Sequence, residues 1–174
     1  MTISQRTTST RGRDFCEGFE SLRLDVYKAP EGQDTVGWGH VVRQSDLLKF
    51  GDVITRDRAI AFLSHDLYNA ETIVKQYAGA ELNQNQFDAL VSMSMNLGRA
   101  PFRNDDGSHT HLAVALEAGN YSLAAAHIKD FDHMGGVKLK GLTRRRQAEY
   151  EMFTEPVAEQ ATDTTNIITP ENLV

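Results

Sequence analysis

The chain has 174 residues, 40% of them hydrophobic and 24% charged, which suits one globular domain or two small lobes sharing a core. A net charge of −6 argues against general nucleic-acid binding, and the single cysteine, Cys16, excludes an internal disulfide. No run reaches the roughly 18 apolar residues that span a bilayer, and the first residues, "MTISQRTTST", hold no apolar signal core. The expectation is a chain that starts in the cytoplasm and does not insert into a membrane.

Residues 1–12, rich in Ser and Thr, are expected to form a flexible N-terminus. Phe15, Phe19, Leu22 and Val26 follow helical spacing and predict a first helix over 14–26, with Cys16 as a buried structural thiol. "APEG" is a turn, and "TVGWGH" reads as a short strand, so a β-hairpin should follow. Thr55 is a candidate N-cap for a long helix over about 55–78, carried by Ile60, Leu63, Leu67, Ala70, Val74 and Tyr77. In "LNQNQFDALVSMSMNLG", Asn83 and Gln86 predict a capping box and Gly98 a helix end. Shorter helices are predicted over 111–118, 121–130 and 142–153, with "HMGGVKLKG" as an irregular link.

The sum is an α+β chain, mainly helical. A small N-terminal hairpin lobe (about 26–54) is joined by the linking helix to a helical lobe (about 79–154) that also takes in the N-terminal helix. Residues 155–174 carry four acids and no Lys or Arg, leaving the body near −2, and are expected to be a disordered acidic tail. His109 and His111 lie near Asp105 and Asp106, but no third and fourth ligand falls at a recognisable spacing, so no metal is expected. No phosphate loop and no Gly-x-Ser-x-Gly elbow is present.

Three motifs in order carry more information. "FESLRLDVY" and "TVGWGH" match a signature with a Glu, an Asp or Cys after eight residues, a Thr after five more, and then Gly-x-Gly-His. "LNQNQFDALVSMSMNLG" and "GLTRRRQAEYEMF" follow at matching places. Together they resemble the phage-type lysozymes, the endolysins of glycoside hydrolase family 24, over roughly residues 14–154. The resemblance implies a lysozyme-like domain over 13–154 that acts as a muramidase. It would cleave the β-1,4 bond between N-acetylmuramic acid and N-acetylglucosamine in peptidoglycan, without a cofactor.

By the same resemblance Glu20 is the catalytic acid and Thr35 holds the water. Asn96 and Met95 line the saccharide cleft. His40 pairs with Asp66 on the long helix, an attraction that should raise the His pKa. Arg145 ion-pairs with Glu20, although Arg144 or Arg146 fits the three-arginine run as well. Trp38 reads as hairpin core or as a sugar platform. The resemblance also implies a monomer whose release to the wall depends on a holin-type permeabilising partner.

The departure is Ala29, which stands where the family has Asp or Cys. Three readings follow. The enzyme works without that group at a reduced rate, a neighbour replaces it, or the chain is a lysozyme-shaped glycan- or protein-binding module. Asp34 is the first candidate substitute, although in a regular strand it faces away from Thr35. Glu31 in the turn is the second, and Asp25 reads as a solvated acid.

Overall fold

The first helix ends sooner than its apolar spacing predicts. The computed structural model describes residues 2–30, 32–78 and 81–157. In it α1 covers Thr10–Phe19 and strand β1 covers Arg23–Lys28, so the expected helix over 14–26 is half helix and half strand. The reason lies in the sequence: Leu22, Leu24 and Val26 also alternate with period two. Val26 is buried, and hydrogen bonds from Val26 N to Asp52 O (2.8 Å) and from Ile54 N to Leu24 O (2.8 Å) hold β1 from its far side. Tertiary pairing here overrides a spacing that both periods satisfy.

Strands β2 (Asp34–Gly37) and β3 (His40–Val41) complete an antiparallel sheet in the order β1-β2-β3. Tyr27 pairs with Thr35 and Lys28 with Asp34. Ala29 closes the intervening turn: its N–H donates to Gln33 O and its carbonyl accepts from Gly32 N, both at 2.8 Å. Glu31 lies outside the described residues.

Helix α2 (Arg56–Tyr77) starts at Thr55, whose hydroxyl accepts from Arg58 N, and buries Ala59, Leu63, Leu67, Ala70 and Val74 along one face. That face meets β2 and helix α3 (Gln84–Leu97), so α2 runs from the sheet lobe into the helical lobe. The capping box of Asn83 and Gln86 is formed, and Gly98 caps the other end. α3 is the central post of the helical lobe, with Phe87, Leu90, Val91 and Met93 buried. Around it stand α1, α2 and α6 (Lys140–Thr154), with α4 (His111–Glu117) and α5 (Tyr121–Ile128) packed on each other and α5 against α6.

The link expected to be irregular contains a small hairpin, β4 (His133–Met134) with β5 (Val137–Lys138). Gly135 and Gly136 supply the two positive φ angles, 58° and 78°, that its two-residue turn requires.

The N-terminus differs from expectation as well. Residues 8–12 are tied down by polar anchors rather than left flexible. Thr8 donates from its backbone N–H and its hydroxyl to Glu71 Oε1, both at 2.7 Å. Ser9 donates to Asp88 from its N–H at 3.1 Å and its hydroxyl at 2.5 Å, and caps α1. At the other end, Glu155 pairs with Arg11 and accepts from Asn85 Nδ2 at 3.0 Å, so the expected tail does not begin at 155. Residues 158–174 lie outside the described residues. Among the described residues, no helix is long and apolar enough to cross a membrane.

Candidate active site

The site grows from the point where α1 stops. Glu20 is the C-cap residue of α1, in extended conformation, so its side chain leaves the helix towards the gap between the sheet and the helical lobe. There it lines a cleft of about 360 Å³ with Trp38, Gly39, Val41 and Arg43 from the sheet lobe. Asp66, Asn69, Ala70 and Ile73 of α2 form its floor, and Ser94, Met95 and Asn96 of α3 close the helical side. Gly39, at φ 86°, takes the β2–β3 turn past the acid, with Glu20 Oε2 3.6 Å from where a Cβ would stand.

Arg145 is the arginine that reaches Glu20, Nη1 to Oε1 at 2.5 Å. Arg144 shares only the Phe19 ring with Arg145, lying 6.0 Å from its centroid against 5.4 Å for Arg145, and Arg146 donates to Asn96 Oδ1 at 3.1 Å. The Glu20 side chain keeps 28% of its surface exposed, whereas Arg145 keeps 5%. A half-open carboxyl therefore meets an almost dry guanidinium. Behind them lies a buried group that the sequence reading missed. Glu149, 0% exposed, accepts from Ser92 Oγ (2.7 Å), Arg145 Nε (3.2 Å) and Arg146 Nη2 (3.0 Å). The signal for it was the i, i+4 and i, i+3 spacing of both arginines to Glu149. Cys16 sits against this cluster, and burial pushes its thiol up to about 12, which makes it inert.

On the sheet side, His40 Nδ1 meets Asp66 Oδ2 at 2.8 Å while Nε2 meets Asp46 Oδ2 at 3.2 Å. The sequence reading named Asp66 but not Asp46. The ring is 3% exposed and stacks on Phe62 at 4.1 Å. Burial pulls the imidazole pKa down, but the two carboxylates outweigh it and the net shift is upward. Asp46 is also desolvated, yet the Arg43 N–H and His40 bring its pKa below the usual carboxylate value.

The other hairpin candidates stay off the cleft lining. Thr35 is buried, and its hydroxyl donates to Gln33 O at a long 3.3 Å. Asp34 pairs with Lys28 Nζ across β1 at 2.9 Å. Ala29 sits half-buried at the turn. Asp25 pairs with Arg23 on the surface, which lowers its pKa. Trp38 is 6% exposed, so it belongs to the core and contributes an edge to the cleft. His109 is paired with Glu117 at 2.8 Å, and among the described residues no group of three or more His, Cys, Asp or Glu could hold a metal ion.

Residues 17–149 match the family model described as phage lysozyme. The chain belongs to the phage lysozyme family. It is 34% identical over 149 residues to the endolysin of Acyrthosiphon pisum secondary endosymbiont phage 1, covering 83% of this chain and 96% of that one. With the endolysin of Lactococcus phage c2 it shares 33% identity over 153 residues, 86% of this chain but 61% of that longer one. Its structure superposes on the muramidase domain of SpmX from Asticaccaulis excentricus with a TM-score of 0.74 and 28% identity, covering 87% of this chain and 100% of that one. A phage lysozyme is a glycoside hydrolase of the cell wall; here Glu20 lines the cleft between the two lobes, and position 29 holds Ala in place of a carboxylate.

Proposed function

We propose that this chain is an endolysin-type muramidase whose catalysis rests on Glu20 alone among the carboxylates of its signature. The observation that carries the reading is the position of Glu20: in the cleft wall, part-buried, and oriented by Arg145 at 2.5 Å. Glycoside hydrolysis needs an acid to protonate the leaving oxygen and a water delivered to the opposite face of the sugar. Glu20 gives its proton to the glycosidic oxygen as the bond from C1 to that oxygen breaks. Water adds to C1 and loses a proton to solvent, because no carboxylate at position 29 receives it. A positioned base contributes about 10²–10⁴ in rate, so its absence slows the reaction without forbidding it.

Thr35, buried just off the cleft lining, reaches that water by turning its hydroxyl away from Gln33 O. Its 3.3 Å contact to Gln33 O is long for a hydroxyl donor and is readily exchanged. Asp34 does not take the place of the missing group, since Lys28 holds it outside the cleft. Asn96, held by Arg146, and Met95 bind the saccharide from the helical side. No cofactor takes part. The chain acts as a monomer, leaves the host cytoplasm through a membrane permeabilised by a holin-type partner, and meets peptidoglycan beyond it.

A second reading has two observations in its favour: Ala29 lacks the carboxylate and Thr35 is off the cleft lining. A binding module with this cleft would hold glycan and leave it uncut. Release of new reducing ends from purified peptidoglycan by the wild-type chain and by Glu20→Gln separates the two. Activity in the first and none in the second supports the muramidase. No activity in either the wild type or an Ala29→Asp variant leaves the binder.

A further inference from the structure

We propose that Glu149 is a positioning residue that keeps Glu20 able to carry a proton, by taking up part of the charge of Arg145 and fixing the arginines that hold both polar walls of the cleft. The inference rests on the muramidase reading and on the geometry behind the cleft.

Glu149 never meets the substrate space, being fully buried on α6. Its Oε1 accepts from Ser92, Arg145 and Arg146, and its Oε2 lies 2.6 Å from Arg146 Nε. Each arginine also reaches the cleft, Arg145 through a nitrogen that Glu149 does not hold and Arg146 through the Nη2 that it also gives to Glu149. Arg145 Nη1 goes to Glu20, and its Nη2 is held by Ser92 O and Oγ, both at 3.3 Å. Arg146 Nη2 goes to Asn96 Oδ1. One buried carboxylate thus orients the acid and a saccharide-binding amide, which come from different elements, through two adjacent residues of a single helix.

The charge balance gives the carboxylate its second role. A general acid must be protonated when substrate arrives, but an undivided guanidinium at hydrogen-bond distance strongly favours the ionised form. Two arginines with one Glu149 present a net +1 to Glu20; without Glu149 they would present +2. The other charges around Glu20 are Glu17 and Arg13 on α1, Arg144 on α6, Asp66 on α2 and Arg43 beside β3. None of these contacts Arg145 in its buried position, and among the described residues Glu149 is the carboxylate besides Glu20 that pairs with it; the buried Asp132 acts on Arg146 but is itself paired with Lys138. Burial raises the Glu149 carboxyl and lowers the Arg146 guanidinium against their mutual attraction, as expected of charges in a dry setting.

The test is the pH profile of kcat/KM on solubilised peptidoglycan strands, whose alkaline limb reports the acid in the unbound enzyme. In Glu149→Gln the limb should move about one pH unit or more to lower pH. KM should rise as the Arg146–Asn96 contact loosens. Glu149→Asp, which keeps the charge, should restore the limb to the wild-type position. If Glu149→Gln does not fold, Arg146→Gln serves with Glu149 kept: the net charge behind Glu20 then falls from +1 to 0, and the limb should move to higher pH. A purely structural role predicts a lower melting temperature with the limb unmoved per folded molecule, and that result overturns the proposal. A wild-type chain without activity would instead sink the muramidase reading.

Discussion

Arg145 Nη1 and Glu20 Oε1 stand 2.5 Å apart although 125 residues separate them in the chain. The contact ties the C-terminal helix to the end of the first one, at the edge of the cleft. Glu20→Gln keeps the shape and an acceptor for Arg145 but removes the transferable proton. Hydrolysis of purified peptidoglycan should fall by at least the roughly 10²–10⁴ that a positioned acid supplies, with the folded spectrum retained. A variant that still cuts at the wild-type rate would remove Glu20 from the mechanism.

Ala29 and Asp34 give opposite expectations. Ala29 is half-buried at the hairpin turn, where its backbone already makes both turn hydrogen bonds, so an Asp side chain can be added without loss of either. Ala29→Asp should raise the lytic rate, by at most about 10²–10⁴. Asp34→Asn should leave the rate within about twofold, since Lys28 holds that carboxylate away from the cleft. Loss of most activity in Asp34→Asn would show that Asp34 serves as the base.

His40 joins the sheet lobe to α2 through Asp66 and to the following turn through Asp46. Its pKa is raised in the folded state, so its charged contribution to stability is complete below the unfolded value and is lost as pH rises through the raised one. Asp46 is lowered, so its share is present above the unfolded value and disappears as pH falls through the depressed one. His40→Asn should therefore cost more stability at about pH 5.5 than at about pH 9, by denaturant titration at both. An equal cost at the two pH values would mean that packing on Phe62, not charge, is what His40 supplies.

Gly12 lies on the face of α1 that meets α3. A Cβ there would stand 2.5 Å from Asp88 Cγ, and Asp88 cannot retreat while it accepts from Ser9 and Gln84. Gly12→Ala should cost about 1–3 kcal/mol as overpacking despite the better helix propensity of Ala. That corresponds to roughly 2–12 °C in melting temperature for a domain of this size. An unchanged melting temperature would show that α1 can shift.

Truncation after Val157 removes only residues outside the described part of the chain and should leave the melting temperature within about 2 °C, less than about 1 kcal/mol. Truncation after Thr154 also takes away Glu155, with its carbonyl bond to Asn85 and its exposed pair with Arg11. The exposed pair contributes little and the hydrogen bond about 1 kcal/mol, so a further drop of a few degrees is expected. A fall of more than about 10 °C for the shorter cut alone would show that the last residues dock on the domain.

Much of this molecule was legible because local rules act alone there. The caps at Thr55 and Asn83, the stop at Gly98 and the apolar face of α2 are set by neighbours three and four residues away, and the residues state them directly. Glu20, His40 and Asp66 were legible through motif spacing. Where two local rules fit the same residues, only tertiary contact could choose. Leu22 and Val26 fit both a helical and an alternating spacing, and pairing with β2 on one side and residues 52–54 on the other made β1 a strand from Arg23 on. Polar anchors that cross the fold left no periodic mark. Thr8 and Ser9 on Glu71 and Asp88, Asp46 on His40, and Glu155 near Asn85 all join residues whose separation in sequence says nothing of their distance. The three consecutive arginines show the division most plainly. Their sequence announced a basic helix with a partner for Glu20, but each step along a helix turns the side chain by about 100°. The rotation of α6 against α3 therefore aimed Arg145 at the acid, Arg146 at Asn96 and Arg144 over Phe19, and only the packed structure could set it.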